Sequence, residues 1–248
     1  MDFAQQLVNG VQIGSVYALV AIGYTMVYGI AKMINFAHGD IIMVGSYVAL
    51  LFFQSSGLPV WGVIAATAAV SAVLGVTIER LAYKPLRGGS RMSALITTIG
   101  VSLMLQNGFL LIFGSSPKPF PNHFTGEGFT LGGVTVSRLT AITLVVTVVL
   151  MVLLTLFVNR TRVGKAMRAV SEDQGAAQLM GINIDTSISI TFAIGSALAA
   201  VAAVLYSSTY PLINPYMGSM LGLRAFIAAV IGGIGVIPGA MIGGILVG

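Results

Sequence analysis

Seven mostly apolar runs divide the chain, at roughly 8–30, 36–53, 60–79, 92–113, 139–158, 187–209 and 224–247. About 20 apolar residues in a helix cross a hydrocarbon core, so each run has helix length or nearly so. None shows the strict alternation over about 9–11 residues that marks a barrel strand. A segment in lipid must satisfy its own backbone N–H and C=O groups, and a helix does this within itself. The pattern predicts an all-α, polytopic helical bundle of about seven spans, with residues 1–248 forming a single transmembrane domain.

Composition removes the alternatives. Hydrophobic residues make up 56% of the chain and charged residues 8%, and the mean hydropathy is +0.97. A soluble domain carries about 25% charged residues, so most of this surface must face membrane lipid. The net charge of +5 matches the basic excess that orients membrane helices, and no nucleic-acid partner is expected. Asp2 is acidic and the first lysine is Lys32, so no basic leader precedes the first run, which is expected to stay as a helix. There is no cysteine, hence no disulfide and no thiolate chemistry. No HExxH, GxSxG or pair of carboxylates within a run is present, so an enzyme is not expected. No phosphate-binding GxxxxGK[ST] occurs either. His38 and His123 have no second ligand at metal spacing, and no metal site is expected.

Arg80, Lys84, Arg87 and Arg91 form one basic loop, and Arg160, Arg162, Lys165 and Arg168 another. Two runs separate them, so both lie on one side, which the positive-inside rule makes cytoplasmic. Residues 114–138, "GSSPKPFPNHFTGEGFTLGGVTVSR", are then an external loop whose charges before Arg138 are Lys118 and Glu127. The uncharged turn "QSSGLP" at 54–59 is external too. Residues 159–186 form a cytoplasmic loop that gathers charge, and Glu172 and Asp173 in it owe nothing to the orientation rule. From Lys165 to Gly181 the composition favours helix. Met167, Val170, Ala177 and Met180 keep near-helical spacing, which predicts one short amphipathic helix. It either rests on the membrane or its own bundle, or docks a cytoplasmic partner.

"KMINFAHGD" at 32–40 places Lys32, Asn35, His38 and Asp40 between two apolar runs. It reads either as a turn at the membrane surface, with Lys32 and Asp40 wet, or as a broken, re-entrant helix. In the second case Asn35, His38 and Asp40 line a translocation path, and a deep Asp40 needs a partner, Lys32 or His38. Gly14 to Ala18 and Gly239 to Gly243 have the small-xxx-small spacing of close helix contacts, and Pro238 is expected to kink or break the last run. Arg224 falls at the external end of that run, after "YPLINPYMGSMLGL". Gln106 and Asn107 read as glue between helices.

"GAAQLMG", Gly175–Gly181, resembles the EAA-xxx-G loop of ABC-importer permeases, with Gly175 where that motif has Glu. "VNGVQIGSVYALVAIGYTMVYGIAKMINFAHGD" (8–40), "RAVSEDQGAAQLMGIN" (168–183) and "GLRAFIAAVIGGIGVIPGAMIGG" (222–244) resemble the LivH-type permeases of the branched-chain amino acid ABC importers. The resemblance implies a permease subunit in a bacterial inner membrane, moving branched-chain or related amino acids. Its partners would be cytoplasmic ATPase subunits that hydrolyse ATP, a second related permease and a periplasmic substrate-binding protein, with no cofactor in this chain. The ATPase-coupling surface would be Arg168, Glu172, Ala176, Ala177, Gly181 and Asn183. The chain ends in "GGILVG" within an apolar run, and family members usually continue with at least one more span. The alternative is an ion-coupled secondary transporter or channel. It needs several ionisable groups within spans, and only the 32–40 cluster offers any.

Overall fold

The computed structural model describes residues 3–87, 89–121, 123–124, 128–131 and 134–248, so Glu127 and Asp2 lie outside it. Its helices are α1 (Phe3–Ala31), α2 (His38–Ser55), α3 (Val60–Ile78), α4 (Arg91–Phe113), α5 (Arg138–Arg160), α6 (Arg162–Glu172), α7 (Gln174–Leu179), α8 (Ile184–Thr209), α9 (Met217–Gly232) and α10 (Ile237–Val247). A π-helical turn, Glu79–Tyr83, and a 3₁₀ turn, Lys84–Leu86, continue α3. Five helical segments are long and apolar enough to cross a membrane: 3–31, 60–86, 92–113, 138–160 and 184–209. The chain is a polytopic helical membrane protein. Two short antiparallel ribbons are added to it, β1 (Lys118–Pro119) with β4 (Leu212–Ile213), and β2 (Phe129–Leu131) with β3 (Val134–Val136). Both lie at the end of the bundle opposite the basic loops.

α1 and α8 form the centre. In the apolar window of α1, 83% of residues are buried, against 17% for α4 and for α5. The outer helices turn Leu103, Leu111, Ile112, Val145 and Leu153 outward, which costs nothing where the solvent is lipid. Without a hydrophobic drive between helices, small residues set the contacts. A Cβ on Gly14 would lie 2.8 Å from the Cα of Ile245, so α10 rests directly on α1.

The seventh run is not one span. Gly233 (φ 88°) and Gly235 (φ 101°) adopt backbone that L side chains avoid, and Pro238 starts α10 where its missing N–H is harmless. α9 and α10 therefore form a hairpin, with Gly232 on Gly239 and Gly243 on Ala228. At 16 and 11 residues they reach only about 24 and 16 Å. Arg224 is accordingly in the middle of α9 rather than at the end of a span, and residues 217–223 are helix rather than loop.

α1 stops at Lys32, whose φ of 55° is unusual for a side-chain-bearing residue. α2 then starts inside the bundle. The His38 ring lies against Gly23 and Gly195, eight residues before the end of α1 and eleven after the start of α8, about 12 and 16 Å along those helices. Residues 32–40 fold back into the bundle, and Asp40 is buried, not wet.

Candidate functional site

The charged loop folds as two helices, not the one predicted. Asp173 takes extended backbone (φ −149°, ψ 112°) and its carboxylate accepts from Ala176 N at 3.0 Å. An aspartate caps a helix more readily than it sits inside one, because its carboxylate satisfies an orphan N–H at the start. α7 ends where Gly181 adopts φ 80°. There Ile182 N donates to Ala177 O and Gly181 N to Gln178 O, both at 3.0 Å, the paired closure that favours glycine at this position. The break turns α7 away from the face of α6. Met167, Val170 and Ala177 are buried as spaced, while Met180 is 82% and Leu179 90% exposed.

Of the six coupling candidates, Arg168, Glu172, Ala176, Gly181 and Asn183 are exposed. Ala177 is buried and anchors α7 instead of presenting a contact. Asn183 also caps α8, accepting from Thr186 N at 3.0 Å. Asp173→Ala should cost about 1 kcal/mol of local stability, read as faster amide exchange across 174–181 with exchange in α8 unchanged.

An ion network beside this loop escaped sequence reasoning, which took Lys84 and Arg87 only as orientation signals. Glu79 is fully buried. Arg87 bridges it to Asp185, Ser189 donates to Glu79 Oε2 at 2.6 Å, and Lys84 pairs with Asp185 at 2.7 Å. Asp185 stands two residues after Asn183, so the network clamps the start of α8 to the π turn. A legible signal existed: Glu79 closes an apolar run immediately before Arg80.

Inside the bundle the three predicted path residues come together at the re-entrant turn. His38 N donates to Asn35 O at 3.1 Å. The Asn35 side-chain amide and His38 Nε2 are buried without a partner among the described residues, and the Tyr24 ring meets His38 edge-on at 4.6 Å. Neither Lys32 nor His38 pairs with Asp40, contrary to expectation. Asp40 instead accepts from Ser102 Oγ and from Gln106 Nε2, the latter at 2.9 Å. Gln106 Nε2 donates also to Ser219 Oγ at 2.8 Å, so Gln106 links α2, α4 and α9. Gln106 is interhelical as read, whereas Asn107 donates to Leu103 O of its own helix. Ser102 and Ser219 were missed, since a lone serine in an apolar run carries no signal. Among the described residues no three His, Cys, Asp or Glu side chains gather.

A many-spanned bundle with a charged helical loop at one end and a polar cluster sealed within suits a membrane transport permease. The family described as "Branched-chain amino acid transport system / permease component" matches residues 6–248, and the chain belongs to that family. It is 49% identical to the high-affinity branched-chain amino acid transport system permease protein BraD of Pseudomonas aeruginosa over 259 residues, 99% of this chain and 84% of that protein. It is 46% identical to LivH of Escherichia coli K12 over the same shares. The ribose import permease protein RbsC of Escherichia coli K12 is 26% identical over 98% of this chain and 75% of its own length. No solved structure matches significantly.

Proposed function

We propose that this permease works as the membrane subunit of an ATP-driven importer in a bacterial inner membrane, with the basic end in the cytoplasm. It carries branched-chain or related amino acids handed over by a periplasmic binding protein. A second related permease completes the pathway, and two cytoplasmic ATPases hydrolyse the ATP, so this chain performs no chemistry. The observation that carries the reading is the 160–183 loop. It exposes Leu179 and Met180 almost fully beside Arg168 and Glu172, on two capped helices tied to α8. Exposed apolar side chains among charges suit a groove on a partner, and α8 runs from there to the re-entrant turn. Asn35, His38 and Asp40 line the path, with Ser102, Gln106 and Ser219 behind Asp40. The ion-coupled alternative needs a relay of ionisable groups across the spans, and Glu79 is already neutralised by Arg87.

The chain has no cysteine, so Glu172→Cys, Ala176→Cys and Met180→Cys each supply a single label. Nucleotide-sensitive crosslinks to a coexpressed ATPase subunit are expected. Labels that are accessible to water but never crosslink would remove the coupling role.

A further inference from the structure

α9, "MGSMLGLRAFIAAVIG", carries one charge, Arg224. Its neighbours on the open face are Met220, Leu223, Ile227, Val230 and Ile231, all apolar and exposed. A helical side chain leans toward the helix N-terminus, and Arg224 does so. Its Nη1 donates to the Tyr17 hydroxyl of α1 at 2.7 Å, and its Cζ lies 6.0 Å from the centre of the Tyr17 ring. No carboxylate pairs with Arg224 among the described residues.

This guanidinium is exposed on the side of the bundle, at the depth of the spans rather than at its ends. Tyr17 stands fourteen residues before the end of α1, about 21 Å from the basic end. On the other side, Gln12 joins Thr209 and Thr140, at the ends of α8 and α5, at 3.2 and 2.6 Å. The head of Arg224 is therefore within the span, toward the strand-bearing end. A cation there, exposed on an apolar face and held by one phenol, is unfavourable unless an anion reaches it. Most of its five N–H donors stay open, arranged as the fork that matches a carboxylate.

We propose that Arg224, held by Tyr17, receives the α-carboxylate of the transported amino acid as it enters from the strand-bearing end. The site rests on the transport reading above. The carboxylate is the part that all α-amino acids share, so one guanidinium serves cargo with different side chains.

The test uses the complete importer with Arg224→Cys in the cysteine-free chain. Leucine uptake should fall roughly tenfold or more, in line with losing a charge-assisted pair, while the importer subunits copurify in the wild-type ratio. Aminoethyl methanethiosulfonate rebuilds a cation and should restore uptake, and the sulfonatoethyl reagent should not. In Met220→Cys, one turn before an intact Arg224, L-leucine should slow the aminoethyl reaction, and L-leucinol, which lacks the carboxylate, should not. Tyr17→Phe, which removes only the hydroxyl, should raise the leucine concentration for half-maximal uptake. Wild-type uptake by Arg224→Cys, or equal protection by leucine and leucinol, would overturn the site. Loss of copurification would also overturn it, by assigning Arg224 to a carboxylate on a neighbouring subunit. If the wild-type importer itself took up no leucine, the transport reading would fall, and leucine-specific protection would still report the site.

Discussion

Arg87→Ala is expected to lower the stability of the folded permease by roughly 3 kcal/mol or more. The reason is the carboxylate left behind. Glu79 is fully buried, and Arg87 is its only cationic partner among the described residues. Ser189 alone cannot offset the cost of a buried charge, because one neutral hydrogen bond contributes about 1 kcal/mol. Asp185 would keep Lys84, but that pair is half exposed and stabilises little. The measurement is thermal unfolding of the purified protein in detergent, followed by size-exclusion chromatography. Arg87→Ala combined with Glu79→Gln should recover most of the loss, since the amide can still pair with Ser189 and carries no charge. A single variant as stable as the parent would mean that Glu79 and Arg87 do not pair.

Gly39→Val is expected to abolish uptake and to reduce the yield of folded protein sharply. A Cβ on Gly39 would sit 2.8 Å from the Cα of Gly222, and main chain cannot swing aside as a long side chain can. The α2–α9 contact would have to open, and overpacking of this kind costs about 1–3 kcal/mol or more. The opening moves Asp40, the next residue, away from Ser102 and Gln106. Gly57 adopts φ 60° with open space around it, so Gly57→Asn, a residue tolerant of that backbone, is the control for a glycine replaced harmlessly. Gly39→Val that folded and transported like the parent would show that α9 does not pack on the start of α2.

Lipid makes much of this molecule legible. The first six apolar runs each became a helix, because a crossing segment has no other way to pair its backbone. The charged loop was legible for the same reason, since charge in so apolar a chain stands out. Its break was readable in principle: Asp173 precedes Ala176 by the three residues of a capping bond. The break expected at Pro238 in the last run is there, but counting that run as a span was wrong, because composition measures apolarity, not direction. Gly233, Gly235 and Pro238 were present as turn chemistry, but their effect depended on α9 and α10 having glycine faces that fit each other. Asp40 was given the wrong partners. Lys32 and His38 are its neighbours in sequence, whereas Ser102 and Gln106 are 62 and 66 residues away. Arg224 was placed by counting from the end of a span that does not exist.

Apolarity along the chain did not settle how many helices are long and apolar enough to span, which is five among the described residues rather than about seven. It was enough to settle the solvent, the helical class, the place of the helices in the first six runs and the loop where charge collects. These follow from local apolarity and from the cost of unpaired backbone in lipid, which each segment meets alone. Only the tertiary structure decided that residues 32–40 turn back into the bundle, that the final run is a hairpin, and that Glu79, Asp40 and Arg224 are held by Arg87, Gln106 and Tyr17. Asp40 and Arg224 are held by partners from distant segments, and Glu79 and Arg87, though eight residues apart, have their site completed by Ser189 and Asp185 of the distant α8.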